Sequence, residues 1–359
     1  MSNRVGVESV FDMTVDGRLD CVCRTGQVPD HSGTPARRPK YLVPRRKRTT
    51  VRLTTVTEVL PSRRKVLTVG AGAAVATLVP AVATTSYAAE PGGTLTEQFR
   101  ALEQEYAARL GVFALDTASG ATVGYRAQER FPMCSVFKGL AAAAVLRDVD
   151  RHGEFLARRI RYTAEFVEAA GYIPVTGKLE NIAHGLTGAE LCAAAVSESD
   201  NGAGNLLLRE LGGPTAITRF CRSLGDGTTR LDRWEPELNS AEPWRIEDTT
   251  NPRAVGMTYG RLLLGGALSP GDRKRLWEWL VANTTNTERF REGLPADWIL
   301  ADKTGGGEQY GVANDVGVVR PPGRSPLVLS ILSTKYDPQG PTDNPLVARA
   351  AAIVAAALT

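Results

Sequence analysis

Histidine and cysteine are scarce in this chain of 359 residues, with three of the first and five of the second. His31 lies in a basic leader, which leaves His152 and His184 for the part that folds. The two are not spaced as metal ligands and no Cys-x-x-Cys pair accompanies them, so a zinc site has nothing to be built from. A Ser-His-Asp triad would have to recruit one of them, and His184, just before Gly185-Leu186-Thr187, reads as a surface loop residue. Cys21 and Cys23 belong to the leader; Cys134, Cys192 and Cys221 remain, an odd number that cannot complete a disulfide framework. Positive charge is missing where a nucleic-acid binder would need it. Residues 1–89 hold 14 of the 43 Lys and Arg but 6 of the 39 Asp and Glu, so the remainder is mildly acidic and carries no basic stripe. No internal repeat is visible.

Long hydrophobic runs are also lacking. The one stretch that approaches such a run is Gly/Ala/Val-rich, ends near Ala83 and is interrupted by Pro80. A short membrane anchor is the competing reading of it. Ser62-Arg63-Arg64-Lys65-Val66-Leu67 precedes it and Ser86-Tyr87-Ala88 follows, with small residues at −3 and −1 of a cut before Ala89. Residues 61–88 are therefore expected to be a twin-arginine export signal, and the protein to be secreted or associated with the cell envelope. Such export moves folded proteins out of a reducing cytosol, which agrees with the unpaired cysteines. Residues 1–60, with Arg45-Arg46-Lys47-Arg48 and no apolar period, are expected to be a disordered extension or the product of an upstream start.

What is present is a folded unit over residues 89–359. The apolar spacing of Phe99, Leu102, Tyr106 and Leu110 predicts a helix from Thr94 to about Arg109. Gly111–Asp116 and Ala121–Arg126 read as strands joined across Thr117-Ala118-Ser119-Gly120. The Ala-rich run after Ser135, through Leu146, is apolar on nearly every side and predicts a buried central helix. Thr187 and Glu190 have the offset of a capping box and start a helix near Ala189 to Val196. Further helices are expected at Ala203–Leu211 before Gly212-Gly213, Thr215–Leu224 before Gly225, Arg253–Leu264 and Gly271–Ala282. Strand character returns at Trp298–Lys303, Val312–Val319 and Leu327–Ser333, ahead of a helix from Pro345 to Ala357. Two early strands, a helical middle and three late strands imply one mixed sheet built from both chain ends, with a helical lobe over roughly 136–280. Arg230 to Pro252 is too long and too polar for a connector and reads as a packed functional loop.

Four short motifs carry chemistry. In Ser135-Val136-Phe137-Lys138 the helical spacing of three puts a hydroxyl and an amine on one face, a nucleophile beside its base. Lys138, if buried, titrates low enough to accept a proton. Ser199-Asp200-Asn201 adds Ser199, able to relay a proton to a leaving amine, and Asn201, able to hold an acyl side-chain carbonyl. Glu235-Pro236-Glu237-Leu238-Asn239 follows. Lys303-Thr304-Gly305 brings a cation and a hydroxyl for a substrate carboxylate. Gly306 and Gly307 then let backbone approach closely, so that the Gly306 and Ser135 N–H groups can form an oxyanion hole.

From Thr94 to Thr359 this set, in this order, resembles the class A serine β-lactamases. The resemblance implies a mixed α/β fold of the β-lactamase/D,D-peptidase kind, with a predominantly antiparallel five-stranded sheet flanked by helices plus an all-helical lobe. It implies hydrolysis of the β-lactam amide of penicillins and cephalosporins through a Ser135 acyl-enzyme, with Glu235 and Asn239 holding the water that Glu235 activates. Ser135, Lys138, Ser199 and Glu235 would be catalytic; Asn201, Asn239, Lys303, Thr304, Gly305 and Gly306 would bind substrate. Whether Lys138 or Glu235 takes the Ser135 proton is left open by the sequence. By the same resemblance Arg233 and Asp248 close the loop with an ion pair, and Arg289 supplies the substrate-binding guanidinium that other members carry where this chain has Val312. A plain surface arginine is the competing reading. Tyr172 takes the place of an aromatic gatepost, against a core or surface tyrosine. Cys134 and Cys192 sit where some members form disulfides, but Gly307 and Ala142 replace the partners, so both thiols are expected buried and unpaired. No cofactor or metal is implied, and the partners are small-molecule β-lactams, with no nucleic acid, no stable membrane insertion after processing, and a monomeric state. Two rival functions are a D,D-peptidase or penicillin-binding transpeptidase, against which Glu235 with Asn239 argues, and a catalytically silent binder of cell-wall fragments or of another protein.

Overall fold

The computed structural model describes residues 93–359; the expected export signal and the extension before it lie outside those residues. Helix α1 (Leu95–Glu105) starts at Thr94, whose hydroxyl accepts from the Glu97 N–H while the Glu97 carboxylate reaches back to the Thr94 N–H. Strand β1 (Arg109–Asp116) then turns at Gly120, in the left-handed region, into β2 (Thr122–Tyr125). The last three strands, β3 (Ile299–Gly306), β4 (Ala313–Arg320) and β5 (Leu327–Thr334), come from the other end of the described chain. All pair antiparallel in the order β2-β1-β5-β4-β3, so β5 inserts beside β1 and closes the two chain ends into one sheet. The expected antiparallel five-stranded sheet is what forms.

Both faces of the sheet are covered, which is why the central strands β1 and β5 read as nearly unbroken apolar runs. On one face lie α1 and the C-terminal helix α8 (Asn344–Leu358), packing Phe99, Leu346 and Val354 against Val112, Leu329 and Ile331. On the other face Val316, Val328 and Leu332 belong to a larger core shared with the helical lobe. Its centre is α2 (Phe137–Ala144), every residue of which is buried. Around it stand α3 (Gly188–Ser197), α4 (Asn201–Leu211), capped by Gly212 in the left-handed region, and α5 (Thr215–Ser223). Helix α6 (Pro252–Leu263) and α7 (Pro270–Val281) complete that side.

Three differences from the sequence reading bear on the site. The run around Ser135 is not one helix: a 3-10 turn, Cys134–Val136, precedes α2, and a π-helical turn, Val145–Val149, follows it. Helix α6, inside the stretch read as the helical lobe, lies on the sheet. Gly256 and Gly260 let it approach so closely that an added Cβ would meet Phe113 at 3.1 Å and Val328 at 3.0 Å. His184 is exposed, as expected, but ends a short helix, Leu179–His184, rather than sitting in a loop.

Candidate active site

The site forms where the 3-10 turn, the start of α4, the 230–252 loop and the end of β3 meet, around a cavity of about 700 Å3. Ser135 is held on its turn by backbone conformation: Cys134, just before it, has φ +47°, and Ser199 across the pocket has φ +58°. Non-glycine residues with positive φ concentrate where surrounding structure enforces them, often at functional sites. Strand β4 supports the turn from beneath, with Asn314 donating to the carbonyls of Pro132 and Met133 at 2.9 and 3.2 Å. On β3, an added Cβ at Gly305 would lie 2.8 Å from the Met133 carbonyl oxygen, so only glycine permits this approach of strand to turn.

Lys138 is fully buried and its ammonium is surrounded by four acceptors. Nζ lies 2.9 Å from Ser135 Oγ, 2.7 Å from the Ser199 carbonyl, 2.5 Å from Asn201 Oδ1 and 3.1 Å from Glu235 Oε1. An ammonium has three hydrogens, so these four contacts compete. Burial lowers the Lys138 pKa and the Glu235 carboxylate pushes it back up. Glu235 is 3% exposed, and its backbone is gripped from both sides by Asn205 of α4, which donates to the Glu235 carbonyl and accepts from its N–H, each at 3.0 Å. Its carboxylate accepts from the Asn239 side-chain amide. Glu235 Oε1 has only the contested Lys138 ammonium as a donor, and Asn239 Oδ1 is a buried acceptor with no donor among the described residues. The loop carrying both is closed by the expected ion pair, Arg233 Nε to Asp248 Oδ2 at 2.5 Å, with Asp248 buried and Arg233 partly exposed.

The opposite wall is cationic. Lys303 Nζ reaches Ser199 Oγ at 3.1 Å and the Thr304 carbonyl at 3.0 Å. Burial, and then repulsion from Lys138, bring its pKa down from 10.5 to about 7. Arg289 is not a surface arginine. Its Nη1 donates to the carbonyls of Gly305 and Asn314 at 2.8 and 2.7 Å and its Nε to Asn344 Oδ1 at 2.8 Å, leaving Nη2 beside the Gly306 end of the pocket. Val312, in the alternative arginine position, is buried. Asn201 spends one amide hydrogen on the Ala170 carbonyl at 2.8 Å and keeps a second for the cavity it lines. Tyr172 lines the same cavity and is 56% exposed, at its rim rather than in any core. Asp200 faces away: it caps α4 through the Ala203 N–H and ties the 175–176 backbone. Cys134 and Cys192 are buried free thiols, and burial pushes both pKa values up.

Each residue given a catalytic or substrate-binding role from the sequence thus lines the pocket or contacts one that does, whereas Cys192 lies in the helical core. Reading the sequence missed Asn205, Asn314, Asn283 and Thr285, and the buried carboxyls Asp302 and Asp315. The one available signal was polarity in the wrong place: Asn205 interrupts an apolar helix, and Asn314-Asp315 interrupts a strand. Among the described residues no cluster suited to a metal ion occurs, and no helix is long and apolar enough to cross a membrane.

Fold and pocket together define a protein of the β-lactamase/D,D-peptidase kind. The comparisons narrow this. The profile of the β-lactamase enzyme family matches residues 94–358. A β-lactamase of Kitasatospora aureofaciens is 72% identical over 309 residues, spanning 85% of this chain and 99% of that protein. Among solved structures, the β-lactamase from Streptomyces albus G superposes with a TM-score of 0.73 at 60% identity, over 74% of this chain and 99% of its own. A reconstructed ancestral class A β-lactamase does so with 0.69 at 50% identity, over 74% of this chain and 100% of its own. The chain belongs to the β-lactamase enzyme family and is an enzyme of its class A type.

Proposed function

We propose that this enzyme destroys penicillins and cephalosporins in two steps, conferring resistance. Ser135 Oγ attacks the β-lactam carbonyl, the ring C–N bond breaks and an ester forms on Ser135. The serine proton goes to Lys138, 2.9 Å away, or through it to Glu235, 3.1 Å from the Lys138 amine, and returns by way of Lys138 to Ser199 as Ser199, linked to Lys303, gives its own hydroxyl proton to the departing nitrogen. Water then attacks the ester, Glu235 takes its proton, and the Ser135 C–O bond breaks as a proton is passed back by way of Lys138 to Ser135 Oγ, restoring the hydroxyl and the free carboxylate. Lys303, Thr304 and Arg289 receive the substrate carboxylate, and the Ser135 and Gly306 N–H groups the oxyanion.

The observation that carries this reading is the triangle of Ser135, Lys138 and Glu235, with Asn239 bonded to Glu235 and the Asn239 Oδ1 beside it left as a buried acceptor without a donor among the described residues. A water held there would face the ester. A penicillin-binding transpeptidase, which must keep water from its ester, has no use for such a pair. Replacing Glu235 by Gln removes the base and keeps the shape. With a penicillin, Glu235→Gln is expected to accumulate a covalent adduct on Ser135, seen by mass spectrometry, with kcat lowered at least a hundredfold. An adduct on Ser135 in the unaltered protein that never turns over would instead favour the transpeptidase. Export through the twin-arginine route to the outside or the envelope is part of the same proposal, resting on residues 61–88. A secreted form beginning at Ala89 is the outcome that checks it.

A further inference from the structure

Beneath the cationic wall lie two carboxyl groups that this chemistry does not use. Asp302 of β3 and Asp315 of β4 are both 0% exposed. Thr304 pairs with Asp315 across the two strands, so Asp302, two residues before Thr304, is the diagonal neighbour of Asp315 on the same face. Neither makes a salt bridge to any Lys or Arg among the described residues. Asp302 is supplied with side-chain donors: Asn283 Nδ2 at 2.8 Å, and Asn286 Nδ2 at 2.8 and 3.0 Å from its two oxygens. Asp315 has the Phe290 N–H on Oδ2 at 3.2 Å, while its Oδ1 is buried and meets no donor. Two buried carboxyl groups that are diagonal neighbours, neither directly paired with a cation, disfavour each other's ionised form, so one of them is held neutral. The group poorer in donors keeps the proton, and burial with repulsion from Asp302 raises the Asp315 pKa well above its ordinary value. The other ionisable groups that act on the pair are Arg289, Lys303 and Tyr259.

The hydrogen bonds lead on from Asp302 to the pocket. Because Asn283 turns its NH2 to Asp302, its Oδ1 faces Thr285, accepting from that residue's N–H at 3.0 Å and hydroxyl at 2.7 Å. The Thr285 hydroxyl in turn bonds that of Thr304. We propose that Asp315 is a neutral carboxylic acid donating to Asp302, and that through Asp302, Asn283 and Thr285 it is a positioning residue for the Thr304 hydroxyl that receives the substrate carboxylate. The last clause rests on the function proposed above; the proton on Asp315 does not.

The test separates the two. In infrared spectra at pH 8, the carbonyl stretch of a protonated carboxyl group is expected in the unaltered protein and absent from Asp315→Asn. Asparagine can still donate to Asp302 and accept from Phe290, so Asp315→Asn should keep KM for a penicillin within about twofold. Asp315→Val, which cannot donate, should raise that KM about three- to tenfold with kcat nearly unchanged. The inference is overturned by the absence of the infrared band, by Asp315→Asn being as impaired as Asp315→Val, or by a folded Asp315→Val with unaltered KM. Should the valine variant not fold, the band and the asparagine variant decide. A band in a protein that opens no penicillin would leave the proton in place and remove the proposed function instead.

Discussion

Lys303 is an amine enclosed by protein and faced by a second cation, and its pKa near 7 makes its charge conditional. The sign follows from which form is held. The free enzyme carries the cation below about pH 7 and loses it as pH rises, whereas a bound carboxylate favours the charged form and moves its loss to higher pH. For a penicillin, kcat/KM should therefore fall on the alkaline side far below the ordinary lysine range, while kcat holds to higher pH. The methyl ester of the same penicillin, having no carboxylate, should lack that early fall. Parallel pH profiles for acid and ester measure this, and identical profiles would remove Lys303 from anion binding. At this scale the sequence was legible wherever chemistry is packed into a few consecutive residues, as in Ser135 to Lys138 or Lys303 to Gly305. Asn205 and Asp315 offered only misplaced polarity and Asn283 nothing, because their partners Glu235, Phe290 and Asp302 are distant along the chain. Nothing in their immediate neighbours announces the bond.

Between residues and molecule, the 230–252 loop shows how an element without regular structure is made rigid. Asp248 accepts the backbone N–H groups of Asp232 and Arg233 at 2.7 and 3.0 Å besides the Arg233 side chain, and Arg233 Nη1 goes on to Ser240 Oγ at 2.9 Å, next to Asn239. Replacing Arg233 by Ala leaves a buried carboxylate with its two backbone donors but no counter-charge. The partial exposure of Arg233 tempers the loss, for which about 1–3 kcal/mol is expected. Thermal melting should register it as a Tm lower by several degrees, and pre-steady-state kinetics should show ester hydrolysis slowed more than ester formation, because Glu235 rides on the loop and Ser135 does not. Equal slowing of both steps would mean the ion pair supports the fold alone. Helix limits were the readable part of this scale: Thr187 caps where its offset from Glu190 suggested a start, the first helix starts at Thr94 as its apolar spacing suggested, and Gly212 ends α4 in the left-handed region. The 3-10 turn at Cys134–Val136 and the π turn at Val145–Val149 have no residue signature, because tertiary packing and not local propensity imposes them.

Across the whole molecule, the nucleophile's turn is shared between the sheet side and the helical side, and one contact shows how closely they are joined. Tyr259 of α6, fully buried, donates from its hydroxyl to the Val136 carbonyl at 2.8 Å, one residue beyond Ser135. It reaches that carbonyl only because residue 139 of α2 is glycine: an added Cβ there would fall 2.2 Å from the Tyr259 hydroxyl and 2.9 Å from Cζ. Gly139→Ala gains helix propensity, about 1 kcal/mol at most. Against this stand overpacking of a closed core, about 1–3 kcal/mol, and the displaced hydrogen bond, about 1 kcal/mol. The net expectation is a loss of stability together with slower acylation, since the turn that presents Ser135 loses its tie. Tyr259→Phe alone should cost about 1 kcal/mol, the hydrogen bond only. Combined, the two substitutions should cost less than their sum, because removing the hydroxyl removes the nearest clash while the ring carbon still crowds the new methyl. Melting curves of the four proteins supply the cycle. Additive losses would show that α2 and α6 move apart freely and that the turn at Ser135 is fixed from one side alone, whereas a compensating double variant ties the position of the nucleophile to the packing of both lobes.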